Sequence, residues 1–356
     1  MSSINQLVVS ASAHDAITNC ARNARDVLAR VGPSRLVASH VQPGLEDEVE
    51  QLSQADDVAA SGDPILYHAA IGDGEAHRFL DTHAGRVVVW YHNLTPSRHF
   101  AAFDPVLARL LSGGRSYLAR LARRSTGAMA VSDYNARDLE QLGFTDVRVS
   151  PLLLDTGRLT AVEPDGPTHE HIQRLDGPVL LFVGQLLPHK RLDLLLKAYD
   201  LLVTHYVPEA HLVLVGPQRS PSYASAIRRL GEELHLPRLW LAGDVSDAEL
   251  AAFHRGASLV VTASEHEGFC VPLVEAMAFG TPIVATANGA IADTLGDGGL
   301  LLPADAGAGL LCEALLAVLE DGGLRQDLVA RSSRRLAAYD RSVAERRLLA
   351  NLAELL

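Results

Sequence analysis

Apolar runs of four to six residues alternate along most of the chain with amphipathic stretches of ten or more. In the first half the runs fall at 6–10 (QLVVS), 35–39 (RLVAS), 65–69 (ILYHA), 87–91 (VVVWY) and 128–132 (AMAVS). The spacing between them predicts helices over about 15–30, 74–83, 103–123 and 133–142. Strands that are apolar without polar alternation are buried on both faces. These should therefore form parallel sheets covered by helices on each side.

The pattern then restarts. Residues 155–178 are rich in Pro, Gly and charge and carry no clear period, so they read as a linker or peripheral loop. Beyond them, strands are predicted at 179–183, 211–215, 239–242, 258–262 and 282–285, with helices between. Three further helical segments, roughly 306–320, 323–338 and 341–355, close the chain. The reading is α/β, two Rossmann-like doubly wound domains at 1–160 and 178–340, joined by a linker at 161–177. A final helix at 341–356 is expected to return to the N-terminal domain. Tandem domains of this kind predict a central cleft, with ligands at the carboxyl ends of the strands.

Composition narrows the class. With 356 residues, 48% hydrophobic and 21% charged, the chain is long enough for two globular domains. No stretch approaches the roughly 20 apolar residues of a membrane span, and the N-terminus lacks signal-peptide character, so a cytoplasmic setting is expected. Cys20, Cys270 and Cys312 are scattered, which argues against a disulfide framework or a zinc site. A net charge of -12 argues against a general nucleic-acid binder, which needs an electropositive face. The basic amphipathic segment 107–124 reads as a solvated helix face, with peripheral membrane contact as the lesser alternative.

Several chemistries are missing from the motifs. There is no Gly-x-Gly-x-x-Gly after a strand, no Gly-Lys pair, no Asp-x-Asp and no Gly-x-Ser-x-Gly. Dinucleotide, phosphate-loop and serine-hydrolase readings lose their support.

Two stretches remain informative. In EHEGFCVPLVEAMAFGTPIVA (265–285), Pro272 suits the first position of a helix and Gly280 its end. That puts Glu275 in the first turn and Glu267 in the preceding loop. Such a helix start offers N–H groups and a positive dipole end, and Gly268 permits close approach to the backbone. The stretch suits a sugar hydroxyl at Glu267, a phosphate at the amides of 269–273 and a ribose diol at Glu275, carboxylates being natural acceptors for hydroxyls. In LLFVGQLLPHKRLDLLL (180–196), a buried strand ends at Gly184 and a short loop carries Lys190 and Arg191. Lysine occurs only at Lys190 and Lys197, so one placed after a strand end invites a phosphate partner.

Residues 179–303 resemble the nucleotide-sugar domain of family 4 retaining glycosyltransferases, which have the GT-B architecture. The resemblance rests on Glu267 and Glu275 with seven residues between them, on the strand end at Phe182–Gly184 with its downstream lysine, and on GDVSDAEL (243–250). YHNLTP (91–96) and AVSDYNARDL (130–139) extend it into the first half. It implies a donor domain at 178–340 and an acceptor-side domain at 1–160. It further implies that Lys190 holds the diphosphate, Glu267 the donor sugar and Glu275 the ribose, with His92 facing the sugar across the cleft. Gly184, Gln185, Arg191, Gly268, Phe269, Cys270 and Val271 would line the donor, and Ser12, His14, Asp15 and Asn93 are further contacts. The sequence departs from the pattern at Gln185, where an arginine is common, and at the glycine-poor loop 10–19. Cys270 stands for a common glycine and Asp293 for a common glutamate. The implied reaction is transfer of a hexose from a nucleoside diphosphate sugar, of UDP or GDP type, to a hydroxyl of a carbohydrate, glycolipid or natural product, with retention and without metal or other cofactor. A nucleotide-sugar epimerase of the same fold and a non-catalytic sugar-binding protein are the alternatives.

Overall fold

The structure, a computed structural model, describes residues 3–13, 15–236 and 238–356. It divides into two units: the stretch ending at Leu154 together with Tyr339–Leu356, and Asp155–Ala338.

The first unit holds β1 (Asn5–Ala11), β2 (Leu36–Val41), β3 (Glu50–Gln51), β4 (Ile65–Ala69), β5 (Val87–Tyr91), β6 (Gly127–Ala130) and β7 (Val147–Val149). They lie in the order β3-β2-β1-β4-β5-β6-β7, all parallel. One sheet face carries Leu7, Tyr67, Val89 and Tyr91 into a core with Leu118 and Leu121. The opposite face carries Val8 with Ala21, Leu36 and Ala38. Burial of both faces is what the unbroken apolar runs require.

In the second unit, β8 (Val179–Val183), β9 (His211–Val215), β10 (Leu239–Gly243), β11 (Leu259–Thr262), β12 (Ile283–Thr286) and β13 (Leu300–Leu302) follow the order β10-β9-β8-β11-β12-β13. These pairs are also parallel. The strand order reverses between β1 and β4 in one sheet and between β8 and β11 in the other. Doubly wound sheets bind ligands beyond the carboxyl ends at such switch points.

The structure differs from the sequence reading at its polar segments. Residues 155–178 are not an irregular linker: they contain helices Thr156–Ala161 and Gly166–Gln173 within the second unit. Asp155 and Asp165 cap the two starts, and Gly166 and Pro167 occupy the first helical positions, where neither breaks a helix. Asp165 N–H bonds Ala248 O at 2.9 Å and Arg158 pairs with Asp247 at 2.8 Å, so the segment is fastened to its unit. The short strands β3, β7 and β13 and the helix Asp56–Ser61 also lack the long apolar runs that reveal the others. The helix Arg341–Leu355 packs on the first unit through buried Leu348 and Leu352 and through the Glu345–Arg30 pair at 2.8 Å.

Turns after β8 and β9 are fitted to each other. Gly184 and Gly216 have φ of 153° and 141°, and a Cβ on Gly216 would lie 2.0 Å from Gly184 O. Gly216→Ala should therefore cost on the order of 2–4 kcal/mol, combining positive-φ strain with a backbone clash. Urea unfolding measures it, and a loss under about 0.5 kcal/mol would contradict this account.

Candidate functional site

Residues after β8 and β11, neighbours at the switch point of the second sheet, converge on one ion pair. After Gly184 the chain runs through a 3-10 turn at Pro188–Lys190 and through Arg191, whose φ is 51°, into helix Leu192–His205. Glu265 N–H bonds His189 O at 2.7 Å, stitching this loop to the one after β11. Lys190 Nζ then meets Glu267 Oε1 at 2.6 Å, with side chains only 15% and 10% exposed. Burial works to lower the Lys190 ammonium, but the charge of Glu267 and the proximity of Cys270 outweigh it and hold the lysine above its ordinary value.

Glu267 is fixed from behind by its backbone. Ala290 N–H bonds Glu267 O at 2.9 Å, and Gly289, with φ of 59°, leaves no room for a side chain: a Cβ there would lie 2.5 Å from Glu267 O and 2.6 Å from its nitrogen. Thr294 Oγ1 donates to Phe269 O, holding the next turn. Cys270, at φ 71°, is buried, and burial followed by the Glu267 carboxylate pushes its thiol well above the ordinary range. Gly289 and Thr294 gave no sequence signal, because their role is to shape backbone rather than to present chemistry.

Helix Val271–Phe279 begins one residue earlier than expected. Pro272 therefore occupies its second position, and Glu275 lies just past the first turn rather than within it. The amide of Leu273, placed in the phosphate-facing set by the sequence, bonds Cys270 O at 3.1 Å, and Pro272 has none to offer. Glu275 is half-buried, and burial, then the charge of Asp247, raises its carboxyl to about 7. Glu275 Oε2 lies 4.0 Å from Nε2 of His254, a fully buried imidazole stacked on Phe279 at 4.8 Å, and among the described residues neither ring nitrogen has a hydrogen-bond partner. Burial depresses His254 to about 4. His254 was not singled out in the sequence, since one buried histidine among 15 carries no motif.

Other expected donor residues are divided. Gly184, Lys190, Glu267, Gly268, Phe269, Cys270 and Val271 belong to the two loops joined by the ion pair. Gln185 is exposed, and Arg191 is turned toward carboxylates, 3.1 Å from Asp193 and 3.8 Å from Glu265. In the first unit His92 follows β5, while Asn93, at φ 91°, gives its amide to Asn135 Oδ1 at 2.8 Å. Asp15 caps helix Ala16–Leu28, accepting from Thr18 N and Oγ1 at 2.8 and 2.9 Å. Asn93 and Asp15 thus already have structural work. Ser12 lies at the end of β1, its N–H bonded to Thr18 Oγ1, and His14 falls outside the described residues. Among the described residues no cluster of His, Cys, Asp or Glu could hold a metal, and no helix is long and apolar enough to cross a membrane.

Comparison with solved structures defines the class. The Anabaena HepE chain crystallised with UDP and glucose superposes with a TM-score of 0.77 at 18% identity, covering 99% of each chain. The sucrose-phosphate synthase of Thermosynechococcus elongatus gives 0.78 at 18%, covering 100% of this chain and 99% of that one. The fold is GT-B, two Rossmann-like units. Residues 169–335 match the model of the family described as glycosyl transferases group 1. Phosphatidyl-myo-inositol mannosyltransferase of Mycolicibacterium smegmatis is 31% identical over 278 residues, 76% of this chain and 65% of that protein. D-inositol 3-phosphate glycosyltransferase of Kineococcus radiotolerans is 34% identical over 182 residues, 46% of this chain and 41% of that protein. The matched region therefore spans less than two thirds of the length of either relative.

Two stability tests follow from the geometry. Lys190→Met leaves a buried carboxylate without its cation and should cost about 3–5 kcal/mol, whereas adding Glu267→Gln should return much of that loss. Denaturant melts of the single and double variants compare them, and simple additivity would rule out the coupling. Glu275 gives a pH signature. Its folded value of about 7 exceeds the ordinary 4.5, so its contribution is full below 4.5 and is lost as pH rises through 7. Glu275→Gln should gain on the order of 2 kcal/mol relative to the parent between acid and pH 8. A difference independent of pH would mean that the carboxyl titrates as an exposed one.

Proposed function

We propose that the chain is a retaining, metal-independent glycosyltransferase moving a hexose from a nucleoside diphosphate sugar, of UDP or GDP type, to an acceptor hydroxyl. The observation that carries this reading is the Lys190–Glu267 pair, 2.6 Å apart and nearly out of water at the carboxyl ends of β8 and β11. An ammonium has three donors, so Lys190 keeps two for phosphate oxygens while still holding Glu267. In this low-dielectric position a fixed cation stabilises charge developing on the leaving diphosphate, a task that a metal performs in other transferases. Glu267, held by Lys190 and by Gly289 behind it, accepts from donor-sugar hydroxyls.

The second unit then takes the donor and the first the acceptor. Glu275 accepts the ribose diol, and His92 hydrogen-bonds a sugar hydroxyl. The acceptor oxygen bonds the anomeric carbon on the face from which the diphosphate departs. As the bond from that carbon to the phosphate oxygen breaks, the acceptor's proton passes to the departing phosphate, and a nucleoside diphosphate leaves. No protein nucleophile is required.

Both relatives named above carry inositol in the names of their activities, so inositol phosphates and phosphatidylinositol are the first acceptors to assay. Glu267→Gln and Lys190→Ala should each lower kcat/KM at least about 100-fold, the scale of losing one electrostatic stabiliser. A nucleoside diphosphate at about 100 times its Kd should add roughly 2.7 kcal/mol in a thermal shift without magnesium. Undiminished transfer in either variant, or a shift that needs magnesium, would overturn the mechanism.

A further inference from the structure

One face of the first sheet carries polar side chains where an apolar layer would be expected. Gln6 on β1, His68 on β4, Trp90 on β5 and His92 just beyond it stand on this face. The register pairs His68 with Val8 on one side and with Trp90 on the other. Gln6, His68 and Trp90 are buried to 2% exposure or less. His68 and His92 stack with ring centroids 5.1 Å apart, and Trp90 lies 5.2 Å from one and 5.4 Å from the other. Trp90 is itself pinned, its indole N–H donating to Ser150 O at 3.1 Å.

Three side chains form a line of hydrogen bonds. Gln6 Oε1 lies 2.9 Å from His68 Nε2, and His68 Nδ1 lies 2.9 Å from His92 Nε2. Gln6 turns its amide nitrogen to Ser34 Oγ at 3.5 Å, which leaves its oxygen for His68. An amide oxygen only accepts, so His68 must carry its proton on Nε2 and accept at Nδ1. His92 must then donate from Nε2. Its one lone pair is on Nδ1, a nitrogen shielded from solvent that has no hydrogen-bond partner among the described residues. A positive charge on His68 would break the line, since its Nδ1 could no longer accept, and burial keeps both rings neutral: His92 is lowered to about 3, and His68 well below its ordinary value by burial and then by His92.

We infer that Gln6 and His68 are positioning residues that lock His92 in its Nε2–H tautomer, so that His92 meets the sugar as a neutral hydrogen-bond acceptor through Nδ1. Resting on the transferase reading for its substrate, this inference assigns His92 the receiving end of a bond from a sugar hydroxyl. It excludes His92 as a general acid or as an imidazolium countering phosphate charge. The line also gives a reason for two polar side chains in an otherwise apolar layer: a tautomer is chosen only if each member has a fixed partner.

The full-length protein labelled with nitrogen-15 tests the relay through long-range imidazole correlations. His92 should appear protonated at Nε2 and bare at Nδ1, without titrating between pH 5 and 8. His68→Leu removes the acceptor for His92 Nε2–H, so the ring should mix tautomers, titrate toward the ordinary histidine range and lose about 10-fold in kcat, the scale of one hydrogen bond. His68→Asn keeps an oxygen where Nδ1 stood and should restore both the tautomer and most of the rate. Protonation of His92 at Nδ1 in the parent protein, or an unchanged tautomer in His68→Leu, would overturn the relay whatever the substrate is. The expected spectra from a protein that transfers no sugar from any nucleotide donor would instead overturn the transferase reading.

Discussion

An ammonium and a carboxylate held 2.6 Å apart and mostly removed from water impose strict demands on the chain around them. Taking each charge out of water costs several kcal/mol, and only close, well-oriented pairing offsets it. Flexible loops could not hold that geometry. The two loops of the second unit are therefore braced at the backbone: Gly216 against Gly184, Gly289 against Glu267, and Glu265 N–H on His189 O. Parallel strands β8 and β11 supply the fixed base, since their ladder positions both loop origins side by side. The glycines are needed because no side chain fits between the braces.

Titratable groups elsewhere in the second unit follow a different rule. Glu275 and His254 are both pushed toward their neutral forms, one upward to about 7 and the other downward to about 4. Their effects on stability oppose each other, the histidine's contribution being lost as pH falls below its ordinary 6.5 and the carboxyl's as pH rises above its ordinary 4.5. Lys190 and Glu267 instead keep their closeness as a pair. The unit thus combines one pair that favours charge with one that suppresses it. Hydroxyl donors arriving at Glu275 would favour its ionised form, which is how a ligand can overcome burial.

Much of this was legible in the sequence. The long central strands appear as apolar runs and the helices as the amphipathic stretches between them, because burial on both faces of a sheet and on one face of a helix leaves those patterns. Glu267, Lys190 and Gly184 stood out for their position after a strand and for the rarity of lysine. What escaped has a common physical cause. The segment 155–178 looked irregular because its Pro, Gly and Asp residues sit at helix starts, where they cap rather than break. The helix at 271–279 begins one residue before the position that Pro272 suggests, after a left-handed Cys270 at φ 71°. Asn93 is held by Asn135, a partner close in space that no spacing rule identifies. Gln6 and His68 are separated by 62 residues, and only the order of β1 and β4 makes them neighbours.

The helix Arg341–Leu355 belongs to the first unit although it follows the whole of the second in sequence. Topologically, the second unit is an insertion, entered at residue 155 and left at 338, inside a host whose ends are both retained. The second unit is thus one continuous cassette that can be exchanged by cutting the host at a single place. The host keeps Arg30–Glu345 and Arg148–Glu354, which tie its two separated pieces together. Truncation from the carboxyl end, by contrast, removes part of the host before it reaches the cassette.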